Sequence, residues 1–207
     1  MKNKKLLLGI AWAWLTCLSA NAEVKLPAFF SDGMVMQQQT RANLWGTATP
    51  DAPVKITTSW DKQTYKTTAD AKGAWKLALS TPSAGGPYTI TFDDGKLTEI
   101  RDILMGELWL CSGQSNMEMP MKGFKNQPVE NSNTDVMNSR NPQLRLFTVK
   151  RSSSFTPKTD VVGTWQEAVP ATVREFSATA YYFGRMIQQQ FEYTCGFDCG
   201  FLGRFCL

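Results

Sequence analysis

Apolar residues in this chain form short alternating runs in the first half and one long continuous run near the middle. Between Val24 and Ile100, apolar and polar residues alternate most clearly at 54–57, 75–79 and 88–92, and clusters of Gly, Pro, Asp and Ser separate the runs. Alternation with a period of two is typical of strands that are buried on one face. The pattern therefore predicts an all-β region over residues 23–101, folded as a small antiparallel β-sandwich.

The continuous run, residues 103–111, is interrupted only by Gly106 and Glu107. Its length and composition predict a strand buried on both faces, as in the parallel sheet of an α/β domain. The run stops at Ser112, and Gly113 then lets the backbone turn sharply. The next residues, Ser115 among them, are expected at the carboxyl edge of the sheet, where open α/β folds bind their ligands.

The second half of the chain continues the α/β pattern over residues 102–190. Residues 122–140 are polar and predict a surface segment bordering the site, 142–150 predict a second strand, and 151–158 predict a Ser/Thr-rich loop. Apolar residues then recur at helical spacing and predict an amphipathic helix over the sheet. Its core face is Phe176, Ala180, Phe183 and Ile187, widened by Tyr181, Tyr182 and Met186, with Ser177 as the cap.

Ser115 allows two interpretations. With Glu118 three residues later it fits the S-x-x-E capping box, and spacing alone favours a cap because caps are common and nucleophiles are rare. Pro120 weakens that interpretation, because as the fifth helical residue it would remove an intrahelical hydrogen bond. The second interpretation is a serine nucleophile whose oxyanion is held by backbone N–H groups of the turn.

A resemblance favours the nucleophile. The segment Gly113-Gln114-Ser115-Asn116-Met117, preceded by Gly-Glu-Leu-Trp-Leu-Cys-Ser at 106–112, resembles the nucleophile block of the sialate O-acetylesterase family of SGNH (GDSL-like) hydrolases. Phe-Ser-Asp-Gly-Met-Val-Met-Gln at 30–37 also resembles this family, and the similarity runs from about 25 to 190. The G-x-S-x-G elbow of α/β-hydrolases is not matched, because Met117 stands at the second glycine.

The resemblance implies a β-sandwich N-terminal domain followed by the start of an α/β (SGNH-type, flavodoxin-like) hydrolase domain that is incomplete in this chain. It makes Ser115 the nucleophile, with its own backbone N–H as an oxyanion donor, and gives Gly113, Gln114 and Asn116 the role of shaping the turn. The implied reaction is hydrolysis of O-acetyl esters on sialic acid or related sugars. The implied partner is an acetylated sugar or glycan, and neither a metal nor an organic cofactor is implied.

The chain contains no histidine, which is the usual base for a serine hydroxyl. Family members place an Asp-x-x-His pair far downstream, so little or no turnover is expected of this chain alone. Two other functions stay open. One is a secreted carbohydrate-binding module that uses the aromatic residues Trp45, Trp60, Tyr65 and Trp75, although core packing is the more common role of strand aromatics. The other is a non-functional truncation product with an unpaired sheet edge.

Residues 1–22 have a basic start, an apolar stretch and an Ala-Asn-Ala ending, which predict a secretory signal peptide cleaved before Glu23. The mature chain is then exported, to the periplasm or beyond the cell. A membrane anchor is less favoured because the stretch is shorter than a span needs, and a lipoprotein signal at Cys17 lacks small residues before it. The net charge of +4 is scattered, so neither nucleic acid nor a membrane surface is a predicted partner. The oligomeric state is not predicted.

Residues 191–207 change character, with Cys195, Cys199 and Cys206 among glycines and phenylalanines. The C-x-x-x-C pair without histidine is a poor zinc set. We predict instead that this tail is out of frame, because a back-translation shifted by one base encodes a buried strand ending in Gly-Gly. Sequencing the genomic DNA across codons 188–207 tests this prediction, and an intact frame with no Asp-x-x-His in the neighbouring one would refute it.

Overall fold

The computed structural model describes residues 23–191 and 195–200, the latter as backbone. The predicted signal peptide, 1–22, lies outside the described residues, as does most of the predicted out-of-frame tail, so both stay predictions. The described chain is mostly β, with ten strands and four helices: β1 (Val35–Gln37), β2 (Arg41–Thr47), β3 (Pro53–Thr58), β4 (Thr64–Thr68), β5 (Ala74–Ser80), β6 (Gly85–Asp93), β7 (Leu97–Ser112), α1 (Ser115–Glu118), α2 (Ser132–Met137), β8 (Asn141–Val149), β9 (Trp165–Ala168), α3 (Pro170–Val173), α4 (Ala178–Phe191) and β10 (Cys195–Gly200).

Eight of these strands form one mixed sheet in the order β4-β3-β6-β7-β10-β8-β9, and β1 pairs with β7 off this path. Strands β7, β10 and β8 run parallel, while β6 and β9 are antiparallel to their neighbours. The remaining strands, β2 and β5, form a separate antiparallel ribbon. The sequence prediction is confirmed as far as a mostly β chain with a mixed sheet. Its division into residues 23–101 and 102–190 stays a prediction.

Strand β7 connects the antiparallel and parallel parts of the sheet. Its first half pairs with β6, residues 104–106 pair with β1, and residues 107–112 pair with β10. The β6 register shifts between Ile90 and Tyr88, where two steps along β6 face three along β7. Asp102 lies in that bulge with a φ of 56°, a left-handed conformation that Asp tolerates better than most residues. One strand therefore runs through the predicted boundary at 101/102 without ending.

The first core cluster joins the ribbon to the antiparallel strands. Leu44 and Leu79 of the ribbon and Ile56, Ile90 and Phe92 of the sheet are all at most 1% exposed and belong to one cluster. Alternation explains this burial, because β3 has the buried-exposed pattern that its sequence predicts. Aromatic rings extend the cluster, with Trp75 against Phe92 at a centroid distance of 5.9 Å.

The second cluster lies under α4 and is smaller. Phe176, Ala180 and Tyr181 are buried there together with Leu144 and Leu146 of β8. The predicted cap is confirmed, since the Ala180 N–H donates to Ser177 Oγ at 3.3 Å. Met186 was expected on the apolar face and is 61% exposed, so that assignment is wrong: it lies beyond the edge of the buried stripe.

Two segments differ from the sequence interpretation. The polar segment 122–140 contains the short helix α2, and β9 and α3 follow the loop although no strand or helix was predicted there. These elements are four to six residues long, too short to show a periodic pattern. Strand β8 matches the predicted second strand to within one residue at each end.

The continuous apolar run is buried on both faces only in part. Residues 103–106 are buried, but Trp109 is 38% and Leu110 is 71% exposed. The prediction of a strand buried on both faces is therefore wrong for its carboxyl half, because α4 covers one face there and the described residues leave Leu110 on the other face open. The described residues contain no helix long and apolar enough to cross a membrane.

Candidate active site

Ser115 lies where the sequence places it, just past the carboxyl end of β7. The strand ends at Ser112, and α1 begins at Ser115. Because β7, β10 and β8 are parallel, their carboxyl ends at residues 112, 200 and 149 meet at the same edge of the sheet. The Ser115 side chain is exposed at that edge. The edge is the usual position for a ligand site in a parallel α/β sheet.

The capping interpretation of Ser115 does not match the structure. The N-cap of α1 is Gln114, whose side chain makes no capping bond, and Ser115 is already the first helical residue. Glu118 makes an ion pair with Arg151, with 2.6 Å between Oε1 and Nη2, and does not return to the N-terminus. Among the described residues, no hydrogen bond to Ser115 Oγ is present. The hydroxyl is therefore available to a substrate.

Backbone N–H groups at the start of α1 are also available. The N–H groups of Met117 and Glu118 donate to the Gln114 carbonyl at 3.0 Å, whereas those of Ser115 and Asn116 have no acceptor among the described backbone groups. The first N–H groups of any helix lack an intrahelical partner. Here two of them flank a serine hydroxyl, which is the arrangement of donors that an oxyanion needs.

At Gly113 the structure shows a tight fit and no special backbone angle. A Cβ placed there would lie 3.0 Å from the Met117 Cβ, whereas its φ is not among the positive values found at other glycines. The sequence predicts a sharp backbone turn at Gly113. The structure explains this glycine instead by the close approach of the strand end to α1. Gln114 and Asn116 act through their main chains, since the Asn116 carbonyl accepts a bond from Thr179 Oγ1 at 3.0 Å and both side chains are exposed.

The segment after α1 is fixed to the start of α4. The Ala178 N–H donates to the Met119 carbonyl at 2.8 Å, and the Met121 N–H donates to the Phe176 carbonyl at 2.9 Å. The Ser177 hydroxyl lies 3.4 Å from Met117 Sδ. These bonds hold α1, and with it Ser115, against a helix that packs on the sheet. A nucleophile needs such rigid support to stay aligned with its substrate.

A groove of about 250 Å³ opens beside α1, between Met117 and Glu118 on one side and residues 148–151, at the end of β8 and just past it, on the other. Ser115 lies two residues before Met117 and does not itself line this groove. The Arg151–Glu118 ion pair lies in its wall. Arg151 was not singled out from sequence, and Glu118 was considered only as part of a capping box. A cation directly after a strand at the same edge was the available signal, but only the register of β8 beside β10 and β7 brings Arg151 to this groove.

A second polar group anchors α2 to α4. Asp135 accepts hydrogen bonds from Arg185 and Tyr182, both at 2.7 Å. The bond from Arg185, followed by that from Tyr182, lowers the pKa of the Asp135 carboxyl. Burial and the bond to Asp135 raise the pKa of Tyr182 to about 12. The group is a structural clamp, and none of its members lines the groove beside α1.

The described residues contain no group of three or more His, Cys, Asp or Glu side chains placed to hold a metal ion. They bring Gly113, Gln114, Ser115 and Asn116 together as one turn, as the sequence indicates. The 207 residues include no histidine, the usual proton acceptor for a serine hydroxyl.

Comparisons with known proteins agree on one family. No family model matches the chain. It is 28% identical to the sialate O-acetylesterase of Pongo abelii over 86% of this chain and 37% of that protein, and 28% identical to that of Mus musculus over 86% and 36%. A crystal structure of a carbohydrate acetylesterase from Xanthomonas citri superposes with a TM-score of 0.80 and 31% identity, over 86% of this chain and 40% of that one. The chain spans little more than a third of the length of these curated relatives, and within that span it resembles the sialate O-acetylesterase family.

Proposed function

We propose that this chain carries the nucleophile of a serine carbohydrate esterase that removes O-acetyl groups from sialic acid or related sugars. Its β-rich first region would be an accessory β-sandwich, and residues from about 102 would begin an SGNH-type hydrolase domain. The names of the relatives, sialate O-acetylesterase and carbohydrate acetylesterase, support this substrate class. The signal-like pattern of residues 1–22 supports export to the periplasm or beyond.

The observation that carries the proposal is the state of Ser115. Its hydroxyl is exposed and without a capping bond, and it stands at the carboxyl end of a sheet strand on a turn with unpaired N–H groups. A serine in a structural cap would have its Oγ bonded to the backbone. Ser115 has the opposite arrangement, which suits attack on an external carbonyl.

In the proposed reaction, Ser115 Oγ attacks the acetyl carbonyl carbon, and the carbonyl oxygen becomes an oxyanion near the N–H groups of Ser115 and Asn116. The C–O bond to the sugar breaks, and the sugar oxygen leaves with a proton. Water then adds to the acetyl-serine, and acetate and free Ser115 are released. Both steps need a base to accept a proton. Because the chain has no histidine, we propose that it turns over slowly or not at all by itself.

Rescue by added imidazole tests this proposal. An acetyl ester should be hydrolysed by the purified chain faster in the presence of imidazole, with a rate that rises as the pH passes through the pKa of imidazole, because the free base replaces the missing general base. Mass spectrometry should detect one acetyl group on Ser115 under turnover. The Ser115→Ala variant gives the background from imidazole alone.

Ser112→Ala is the matched control, since Ser112 is an exposed serine three positions earlier on the same strand end. It should keep the full imidazole-dependent rate. Equal rates for Ser115→Ala and the unmodified chain would overturn the proposal. Full activity without imidazole would overturn the part that concerns the missing base.

A second candidate function is glycan binding by the first region, without hydrolysis. One observation favours it, a groove beside Trp45 that shares no lining residue with the groove beside α1.

A further inference from the structure

A groove lies on the β2–β5 ribbon, and Ser115 is not among the residues that line it. It has a volume of about 660 Å³, within the usual range for small-molecule sites. Its walls come from the ribbon, from the segment at 25–27 and from the loop at 158–160. A smaller cavity of about 280 Å³ shares Trp45 and the same loop. The indole of Trp45 thus borders both spaces.

Trp45 is held in one orientation. Its Nε1 donates to the Thr159 carbonyl at 2.9 Å, and its ring meets Phe30 edge to face with 4.6 Å between centroids. The ring is half-buried and still borders the groove. A fixed aromatic face beside an apolar wall suits the C–H face of a pyranose, and a rigid side chain loses little entropy when it binds.

The other aromatic residues of the predicted sugar platform have different roles. Trp75 is 4% exposed and packs in the core, although it reaches the groove floor, where its Nε1 has no acceptor among the described residues. Trp60 donates to the Ser80 carbonyl and Tyr65 to Asp61, and neither lines this groove. Core packing is thus confirmed for Trp75, and Trp45 alone offers a face to a ligand in this groove.

The charge around the groove is positive. Lys25, Lys76 and Lys158 line it and are exposed, and none of them is in an ion pair with another described residue. Asp160 is the one carboxylate in the lining, and its Oδ1 already accepts from the N–H groups of Ala28 at 2.8 Å and Val161 at 2.7 Å. Three ammonium groups against one carboxylate leave an excess of positive charge, which attracts an anion.

Polar groups that could bind hydroxyls complete the lining. Asn43 and Thr47 are exposed on β2 to either side of Trp45, with an amide and a hydroxyl directed to the same groove. An aromatic face, hydroxyl partners and unpaired ammonium groups in one groove fit a ligand that has a ring, hydroxyls and a carboxylate. Simple anions lack the first two features, and neutral sugars lack the third.

We propose that this groove binds a carboxylate-bearing sugar residue of a glycan, with the pyranose against Trp45 and the carboxylate toward Lys25, Lys76 and Lys158. The groove is separate from Ser115 and would hold the glycan while an acetyl group elsewhere on it is presented to the nucleophile. Binding does not depend on the esterase chemistry, so the two proposals can fail independently.

Calorimetric titration of the full chain with 3′-sialyllactose and with lactose tests the proposal. Neither probe carries an acetyl ester, so hydrolysis cannot contribute. The dissociation constant for sialyllactose should be lower by about tenfold or more, since the ion pairs are absent for lactose. Raising the salt from about 0.05 M to about 0.5 M should reduce this preference several-fold, because exposed charges are screened.

Two variants locate the binding. Trp45→Ala should raise the dissociation constants of both sugars by about tenfold or more, as expected when an aromatic anchor is removed. The triple variant Lys25→Gln, Lys76→Gln, Lys158→Gln changes only exposed side chains and should abolish the preference for sialyllactose.

The matched control is Lys62→Gln, Lys66→Gln, Lys72→Gln, which removes the same charge from exposed lysines outside the groove. It should keep the preference. Equal affinity for the two sugars, no binding of either at millimolar concentration, or equal loss in both triple variants would each overturn the proposal.

Discussion

The two halves of β7 are in different surroundings although they belong to one strand. In the first half, Ile100 and Ile103 are at most 3% exposed within a cluster shared by the ribbon and the sheet. In the second half, Leu110 is 71% exposed, and Trp109 contacts Phe183 of α4 with 5.1 Å between ring centroids. Both halves of β7 are hydrogen-bonded to neighbouring strands, but the second half is covered by other residues on one face only.

This contrast separates stability from chemistry. The first half contributes Ile100 and the continuously buried residues 103–106 to the larger core, whereas the second half delivers Ser115 to an edge supported on one face by α4. Local stability follows the number of buried apolar contacts. We therefore expect the region before residue 107 to dominate the free energy of unfolding, and the Ser115 turn to depend on a few polar and main-chain contacts with α4.

The largest expected effect is that of Ile103→Ala. This side chain is fully buried, and its truncation should lower the free energy of unfolding by about 2–5 kcal/mol through lost burial and a cavity. Leu110→Ala, on the same strand, should change it by less than about 0.5 kcal/mol. Urea unfolding followed by circular dichroism measures both. Similar losses for the two variants would mean that the halves of β7 are equally packed, contrary to the structure.

A smaller effect is expected where the two parts meet. Arg145 of β8 is 5% exposed and binds both carboxylate oxygens of Asp102, at 2.6 and 3.2 Å, as well as the Gly33 carbonyl at 3.3 Å. Arg145→Met removes this link between the parallel strands and the β7 bulge. We expect a loss of about 1–3 kcal/mol, below that of a fully buried pair because Asp102 is 46% exposed and can be hydrated.

Asp102→Asn is the control for this pair. It keeps one oxygen acceptor and tolerates the positive φ, so it should cost less than Arg145→Met in the same urea titration. A larger loss for Asp102→Asn would show that the carboxylate, not the arginine, organises the junction.

The clamp between α2 and α4 should give a smaller, pH-dependent effect. Bonds from Arg185 and Tyr182 lower the pKa of Asp135 in the folded chain, so the carboxylate stabilises the fold above the unfolded pKa of about 4, and this stability is lost as the pH falls through the folded pKa. Asp135→Asn should lower the free energy of unfolding by about 0.5–1.5 kcal/mol at pH 7, limited by solvent screening.

The difference between the unmodified chain and Asp135→Asn should shrink as the pH falls through the lowered folded pKa of Asp135, because both then carry a neutral side chain at 135. Urea titrations at neutral and acid pH measure it. Asp51→Asn is the matched control, since Asp51 is exposed outside any strand or helix, and it should change the free energy of unfolding by less than about 0.5 kcal/mol in the neutral titration. A difference independent of pH would contradict the assigned role of the carboxylate.

Elements with a long, regular pattern could be predicted from sequence. The alternation at 54–57 predicts β3, the apolar stripe from Phe176 to Ile187 predicts α4, and both formed with the expected faces inward. Local pattern is sufficient there because burial on one face decides the structure. The burial of the apolar run at 103–111 was predicted only in part, because composition does not show how much of a strand the other elements will cover.

The candidate site divides in the same way. The position of Ser115 at a strand end could be predicted from two neighbouring features of the sequence, the apolar run at 103–111 and Gly113 just after it. The Arg151–Glu118 pair, and the difference between buried Trp75 and groove-lining Trp45, depend on which strands become neighbours. Contacts between strands that are distant in the chain produce no periodic pattern in the sequence.

The smallest expected effect also decides between the two interpretations of Ser115. Ser115 Oγ makes no capping bond, so Ser115→Ala should change the free energy of unfolding by less than about 0.5 kcal/mol. Ser177→Ala is the comparison, since Ser177 Oγ accepts from Ala180 N–H at the start of α4, and it should cost about 1 kcal/mol. Urea unfolding measures both. Equal losses would make Ser115 a cap after all, because a hydroxyl reserved for a substrate leaves no stabilising bond behind when it is removed.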